Sequence, residues 1–181
     1  YDAYAKTDNS GYYYFNVANG GWYVGLECCG SNGLSPLGYL CVGGQIASVS
    51  NSTNGANFSI PPAPYEITGH LRDSGGSPIA NVGINAYNGE YNTCATTDGS
   101  GFYTLHVTNG GWNVNLDCSA LGALGYLCPP GAGVWISGTN AVADFSTIQA
   151  PYQITGWVRN TSSQPFSNVN VFAYMIIGTN Y

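Results

Sequence analysis

The stretch Tyr65-Glu-Ile-Thr-Gly-His-Leu-Arg-Asp73 decides the fold of this chain, because apolar and polar residues alternate along it. A period of two predicts a β-strand with one face turned toward a core. The run around Ile84 alternates in the same way, and Asp-Gly and Asn-Gly-Gly turn signals follow at short intervals. The 181 residues therefore predict an all-β sandwich of short strands, and no segment has a helical period.

This stretch belongs to an internal repeat, since residues 152–160 read Tyr-Gln-Ile-Thr-Gly-Trp-Val-Arg-Asn, 87 positions later. Thr-Asp-Asn-Ser-Gly-Tyr-Tyr at 7–13 likewise recurs as Thr-Asp-Gly-Ser-Gly-Phe-Tyr at 97–103, 90 positions later. The offset falls from 90 to 87 because one loop of the second copy is three residues shorter. Self-similarity at a nearly fixed offset indicates repeated structural units.

The phase of the repeat divides the chain into three parts. Residues 65–150 make one complete module. Residues 1–64 match the C-terminal part of a module and lack its first two strands, whereas residues 151–181 match those two strands alone. We therefore expect one complete Greek-key β-sandwich flanked by two complementary half-modules.

Three motifs carry a resemblance to a known family. Ile-Thr-Gly-His-Leu-Arg-Asp at 67–73, Gly-Ser-Pro-Ile-Ala-Asn-Val at 76–82 and Thr-Asp-Gly-Ser-Gly-Phe-Tyr at 97–103 resemble the carboxypeptidase regulatory-like domain. The resemblance covers essentially the whole chain as permuted halves. It implies tandem transthyretin-like, Ig-like Greek-key sandwiches, a structural or binding role on secreted and surface proteins, and no catalytic residues to carry over.

Half a sandwich leaves strand edges unpaired, and three completions are open. The terminal strands can close residues 1–61 of the same chain, complete that part of the next copy, or belong to a longer covalent array. The short, Pro-stiffened connector at 150–153 disfavours the first, and the other two give a filament because a head-to-tail contact does not close. The polymerisation strands are expected at 154–159 and 169–174. Their core-facing residues are Ile154, Gly156, Val158, Val169, Val171 and Ala173.

Composition limits the function of the chain. Charged residues make up 7% of it and the net charge is -6, so the basic surface that nucleic-acid binding requires is missing. No apolar stretch reaches the roughly 20 residues of a membrane span. Six cysteines beside only three Lys+Arg favour a secreted protein that is extracellular or attached to the cell surface.

Four of the six cysteines match between the copies, Cys28 and Cys41 corresponding to Cys118 and Cys128. This match favours one disulfide per module, worth about 3 kcal/mol in the chain-entropy description, over free buried thiols. Cys29 and Cys94 have no cysteine at their counterpart positions, and a bond between them across the module junction is one option. The cysteines lack Cys-x-x-Cys spacing and nearby histidines, which argues against a metal site.

Three glycosylation sequons begin at Asn51, Asn57 and Asn160. Asp144 stands at the place of Asn57, and Asp73 at that of Asn160, so the sandwich does not require asparagine there. Glycans at these positions would help so uncharged a surface to stay soluble, and chance occurrence in an Asn-rich chain is the alternative.

The sequence predicts neither catalytic residues nor a cofactor. His70 and His106 lie on outward strand faces, and no nucleophile elbow, zinc-protease or nucleotide-binding motif occurs. Asp98 is expected to hydrogen-bond the backbone of its turn, and a calcium site with Asp117 lacks a dense oxygen cluster. Without a convergent nucleophile, base and orienting group, we expect no enzyme, no cofactor and no metal.

Outward-facing aromatic residues leave two functions to weigh. Tyr12, Tyr14 and Tyr23 fall on the face opposite Tyr13 and Trp22. Such rings are either buried between modules or stacked on sugars. The sequence first predicts a structural subunit of an extracellular filament, fibril or pilus-like, whose partners are copies of itself and covalent glycans. The alternative is a carbohydrate-binding or adhesin stalk module of a larger secreted protein.

Overall fold

The structure is a computed structural model and describes residues 1–51 and 54–174. The chain divides into two units, residues 1–149 and 150–181. The elements in chain order are β1 (Gly20–Val24), a 3-10 helix (Ser35–Leu37), β2 (Gln45–Val49), β3 (Tyr65–Asp73), β4 (Gly83–Tyr87), β5 (Asn92–Thr96), β6 (Phe102–Val107), β7 (Gly110–Leu116), α1 (Cys118–Ala123), β8 (Ala132–Ile136), β9 (Ala141–Val142) and β10 (Phe145–Thr147). The described residues are mostly β, which confirms the predicted class.

Two four-stranded sheets form the larger part of the first unit. In one sheet β3 is central, because β6 pairs with it antiparallel on one side while β9 and β10 pair with it parallel on the other. The other sheet has the antiparallel order β5, β4, β7, β8, so that β4 also lies inside its sheet. The two strands that begin this part of the chain, β3 and β4, therefore each have a neighbour on both sides within their sheet.

One hydrophobic core lies between these two sheets. Ile67 and Leu105 from one sheet and Trp112 and Val114 from the other are among its fully buried side chains. Burial alternates strictly along β7 from Trp112 to Leu116, as its period of two predicts. Residues 65–149 thus form a β-sandwich.

The helix α1 is a difference from the sequence-based expectation. No segment has a helical period in the sequence, yet Cys118 begins this helix. The carboxylate of Asp117 caps it by accepting hydrogen bonds from the backbone N–H groups of Ser119 at 3.0 Å and Ala120 at 3.1 Å. Six residues are too few to display a helical period, so only the cap could have indicated it.

Residues 1–64 contain a smaller sheet in which β1 pairs with β2. Its register places Gly20 opposite Val49, just as Gly110 lies opposite Ile136 in the β7–β8 pair. Val24, Ala47 and Ala56 form a small buried cluster beside it. The pairing of β1 with β2 therefore follows the 90- and 87-residue offsets of the sequence repeat.

Residues 12–17 correspond to β6 in the sequence repeat, yet they form no strand, although the structure describes all of them. Strand β6 obtains its pairing from β3. Residues 1–64 hold no counterpart of β3 in their sequence. A strand without a neighbour cannot make its ladder hydrogen bonds, which explains the difference.

In the described part of the second unit, residues 150–174, the expected strands 154–159 and 169–174 are likewise not formed. The pairing recorded there is one bridge between Arg159 and Pro165. It corresponds to the bridge between Arg72 and Pro78. Residues 175–181, the rest of the expected half-module, lie outside the described residues. Within the described parts of the chain, no helix is long and apolar enough to cross a membrane.

Candidate assembly interface

All six cysteines form disulfides within the first unit. The pairs are Cys28–Cys41, Cys118–Cys128 and Cys29–Cys94, with Cα–Cα distances of 5.5, 5.1 and 5.7 Å. The first two close matching loops, and the third links the loop before the 3-10 helix to β5. Three disulfides in a chain of this size are typical of an oxidising compartment.

The third disulfide belongs to a larger junction between residues 1–64 and β5. The backbone N–H of Cys41 donates to the carbonyl of Asn92 at 3.1 Å. The buried hydroxyl of Ser35 accepts a hydrogen bond from the backbone N–H of Cys94 at 3.2 Å. Leu40 is fully buried in the core of residues 65–149. Neither Ser35 nor Leu40 is predicted from the sequence; for Leu40 the available signal is the recurrence of Tyr-Leu-Cys at 126–128.

Segment 1–17 borders an open groove of about 620 Å³, lined by residues 2–6, 8 and 12–16. Tyr13 and Phe15 pack against the buried cluster of Val24, Ala47 and Ala56. The Tyr13 hydroxyl donates a hydrogen bond to the Ala56 carbonyl at 2.5 Å. The groove therefore lies beside the counterparts of β5 and β6, the strands that β4 and β3 pair with in the sandwich.

The expected polymerisation residues lie on the surface of the second unit. Ile154, Val158, Val169 and Val171 are between 43% and 94% exposed, and Gly156 and Ala173 are exposed as well. Full burial of a valine or isoleucine side chain stabilises a protein by about 1.5–3 kcal/mol relative to leaving it in water. These four side chains do not gain that stabilisation here. This stretch therefore carries an apolar surface that the chain's own second unit leaves uncovered.

The sequon residues are placed in turns and loops. Asn51 has φ 51° and exchanges hydrogen bonds with Asn19 at 2.8 Å; Ser52 and Thr53 of its sequon lie outside the described residues. Asn57 is exposed. The Asn160 side-chain oxygen accepts from the N–H groups of Ser162 and Gln164 at 3.0 and 2.9 Å.

The Thr-Asp-x-Ser-Gly turns hold their aspartates as backbone acceptors, which confirms that expectation. Asp98 accepts from Ser100 and from the backbone N–H of Phe102 at 3.0 Å. The side-chain hydrogen bond from Ser100, with the backbone bonds, holds the pKa of Asp98 below its ordinary value of 3.8. Ser10 and the backbone of Tyr12 lower the pKa of Asp8 in the same way.

The histidines take part in outward-facing pairs. His70 Nδ1 lies 3.6 Å from an Asp144 carboxylate oxygen, and His106 Nδ1 lies 3.8 Å from Glu66. Residues 1–51 and 54–174 contain no group of three His, Cys, Asp or Glu side chains that could hold a metal ion.

Aromatic side chains cover the outer side of segment 1–17 and of the second unit. Tyr12 and Tyr14 are exposed, with ring centroids 6.4 Å apart. Phe172 and Tyr174 stack with centroids 6.5 Å apart. The Arg159 guanidinium lies 4.7 Å from the ring centroid of Trp157. These rings could be covered by another protein surface or by sugars.

No protein-family model matches this chain, and no curated protein matches it in sequence. The resemblance of residues 67–103 to the carboxypeptidase regulatory-like domain therefore stays a prediction from the motifs themselves.

Proposed function

We propose that this chain is a structural subunit of an extracellular filament built of tandem transthyretin-like Greek-key modules. Residues 151–181 of one copy supply the two strands that residues 1–64 of the next copy lack. One observation carries the proposal. Ile154 is 94% exposed, whereas Ile67, its counterpart 87 positions earlier, is completely buried in the core of residues 65–149.

The modular reading is supported by contacts that recur at the repeat offsets. The Trp22 indole N–H donates to the carbonyl of Ala18 at 2.9 Å, and Trp112 donates to Thr108 over the same distance. The β1–β2 register repeats that of β7–β8. These recurrences support the proposal that residues 1–64 are part of a second sandwich of the same kind.

The strands to be supplied would correspond to β3 and β4, which both lie inside their sheets. In residues 65–149, β3 separates β6 from β9 and β10, and β4 separates β5 from β7. Without β3 and β4, each sheet would be divided, and the strands that had paired with them would have unpaired edges. Strand addition from another copy would restore main-chain pairing and bury apolar side chains together, which is the driving force of β-augmentation.

Head-to-tail addition does not close on itself, so it generates a linear polymer. The neighbouring copies are separate molecules or consecutive stretches of one longer chain, and the contacts are the same in both cases. Three disulfides and three sequons suit such a fibre outside the cell, with glycans covering a surface that carries little charge.

The test is electron microscopy of the purified, oxidised 181-residue chain, which carries both complementary pieces. We expect fibres with an axial repeat of two modules, roughly 60–80 Å from strand length and loops. Ile154→Asp should abolish the fibres, since a charge would enter the completed core. Gln153→Glu is the matched control, because Glu66 already stands at its counterpart position on the outer face.

Compact wild-type monomers under these conditions would contradict the proposal. So would Ile154→Asp fibres as abundant as those of Gln153→Glu. Both substitutions change one exposed residue of the second unit, so circular dichroism of the two variants should match that of the wild type.

A second candidate function is carbohydrate binding, favoured by the paired exposed rings of Tyr12 and Tyr14. Depletion of the non-polymerising Ile154→Asp chain by an insoluble polysaccharide tests it. Retention that is lost on Tyr12→Ala and Tyr14→Ala would support a binding module, whereas absence of retention would leave these rings to protein contacts.

A further inference from the structure

A glycine on β3 is enclosed by main chain and by a tyrosine hydroxyl. A Cβ at Gly69 would overlap the carbonyl oxygen of Ala143 and would lie 2.9 Å from the hydroxyl of Tyr103. That hydroxyl donates to the same carbonyl at 2.5 Å. Tyr103 and Ala143 therefore form a bridge over β3 that leaves room for glycine alone at this point of the strand.

The same bridge is present in residues 1–64, whose sequence contains no counterpart of β3 to lie beneath it. Tyr13 and Ala56 are the counterparts of Tyr103 and Ala143, and the Tyr13 hydroxyl donates to the Ala56 carbonyl at 2.5 Å. The hydroxyl–carbonyl distance is therefore the same with and without a strand beneath it, so the Tyr13–Ala56 bridge forms without the strand that its counterpart encloses.

The stretch that would enter this space contains one glycine. Within residues 152–160 it is Gly156, the counterpart of Gly69. A shift of two residues would place the branched side chain of Ile154 or Val158 beneath the bridge, and a shift of one residue would turn every core side chain outward. One register therefore satisfies both the core and the bridge.

A second contact, beside the bridge, is consistent with the same register. In the sandwich, the backbone N–H of His70 donates to the Asp144 carboxylate at 2.8 Å. Trp157 and Asn57 are the counterparts, and the Asn57 side-chain oxygen is an acceptor of the same reach.

We infer that the Tyr13–Ala56 bridge is a glycine-specific register gate for the strand of a second copy, with Gly156 as the residue it accepts. This inference rests on the proposed function, and it identifies Gly156 as the residue that fixes the register of the incoming strand. The gate acts by exclusion: any side chain at position 156 meets a backbone oxygen that cannot move without breaking the sheet.

Gly156→Ala tests the gate. Apart from Gly156 itself and its two chain neighbours, no heavy atom of the described residues lies within 4 Å of the position a Cβ at Gly156 would take, so the unassembled chain should melt as the wild type does. The added methyl should raise the subunit concentration needed for fibres by about tenfold or more, the cost expected of overpacking against fixed main chain. Thr155→Val, a change of similar size on the outer face, should leave that concentration within about twofold of wild type.

The possible outcomes distinguish a failure of the proposed filament function from a failure of the register gate alone. If wild-type chains give no fibres, the proposed function fails. If they do, and Gly156→Ala assembles like Thr155→Val, the gate is wrong while strand addition stands. Loss of fibres in Gly156→Ala with unchanged melting of the monomer supports the gate.

Discussion

Leu40 is completely buried while Leu127, the residue at the same place in the second copy, is 47% exposed. Leu40 lies in the core formed by residues 65–149, although it belongs to residues 1–64. The Cys29–Cys94 disulfide and the pairing of Cys41 with Asn92 hold the same junction. The first unit is therefore continuous across the repeat boundary.

Leu40→Ala should lower the free energy of unfolding of the first unit by about 3 kcal/mol, because it leaves a cavity in a closed core. Leu127→Ala is the matched control and should cost no more than about 0.5 kcal/mol. Denaturant unfolding of both, in the non-polymerising Ile154→Asp background, measures the difference. Equal losses would contradict the burial of Leu40 in this core.

Asp98 predicts a pH dependence of stability. Its pKa in the folded chain is below 3.8, so its carboxylate stabilises the fold above that pH, and the contribution is lost as the pH falls through the folded-state pKa. Asp98→Asn keeps a side-chain acceptor for the turn and cannot titrate. Thermal melting should show the wild type losing stability relative to Asp98→Asn progressively as the pH falls from about 5 toward the folded-state pKa; a constant difference through that range would refute this.

The strands of the sandwich could be predicted because alternation reports directly on burial. The period along residues 67–71 and 112–116 marks the side chains that the two sheets enclose. The turn role of Asp98 followed from residue type at a fixed spacing. The structure also joins Cys28 to Cys41 and Cys118 to Cys128, the pairs suggested by the duplicated spacing.

Other features depend on neighbours that alternation does not report. Residues 12–17 have a strand pattern but no strand, because pairing requires a second segment at their edge. Leu40 has a leucine counterpart, yet only Leu40 is enclosed, so burial there depends on which segment lies above it. The bridge from Tyr13 to Ala56 joins residues 43 positions apart, and no local pattern indicates such a contact.

Substitutions at Asn57 separate its predicted contact with the incoming strand from its sequon. Asn57→Leu removes the acceptor for the Trp157 N–H and should weaken assembly about fivefold. Asn57→Asp keeps the acceptor, as Asp144 does, and Ser59→Ala keeps Asn57 itself; both remove the sequon. We expect these two to assemble like the wild type in a sedimentation assay, and a deficit in Ser59→Ala equal to that of Asn57→Leu would assign the effect to glycosylation.

The register itself predicts which residues of two copies meet. In the sandwich Glu66 lies opposite His106 on the outer face, with their side chains 3.8 Å apart, and the counterparts are Gln153 and Asn16. Gln153→Cys combined with Asn16→Cys should therefore form a disulfide on mild oxidation. Gln153→Cys with Tyr14→Cys should not, because diagonal neighbours are about 7–8 Å apart.

The mass of the cross-linked product decides between the ways of completing residues 1–64. Strand addition between molecules predicts a ladder of covalent oligomers on a non-reducing gel, each step adding one chain of 19.0 kDa. Bonded monomers alone would mean that residues 151–174 close the sandwich of their own chain, because the two cysteines would then meet within one molecule. That result would contradict the proposed filament. A ladder for the Tyr14→Cys pair would instead place the inserted strand two residues out of the register that Gly156 requires.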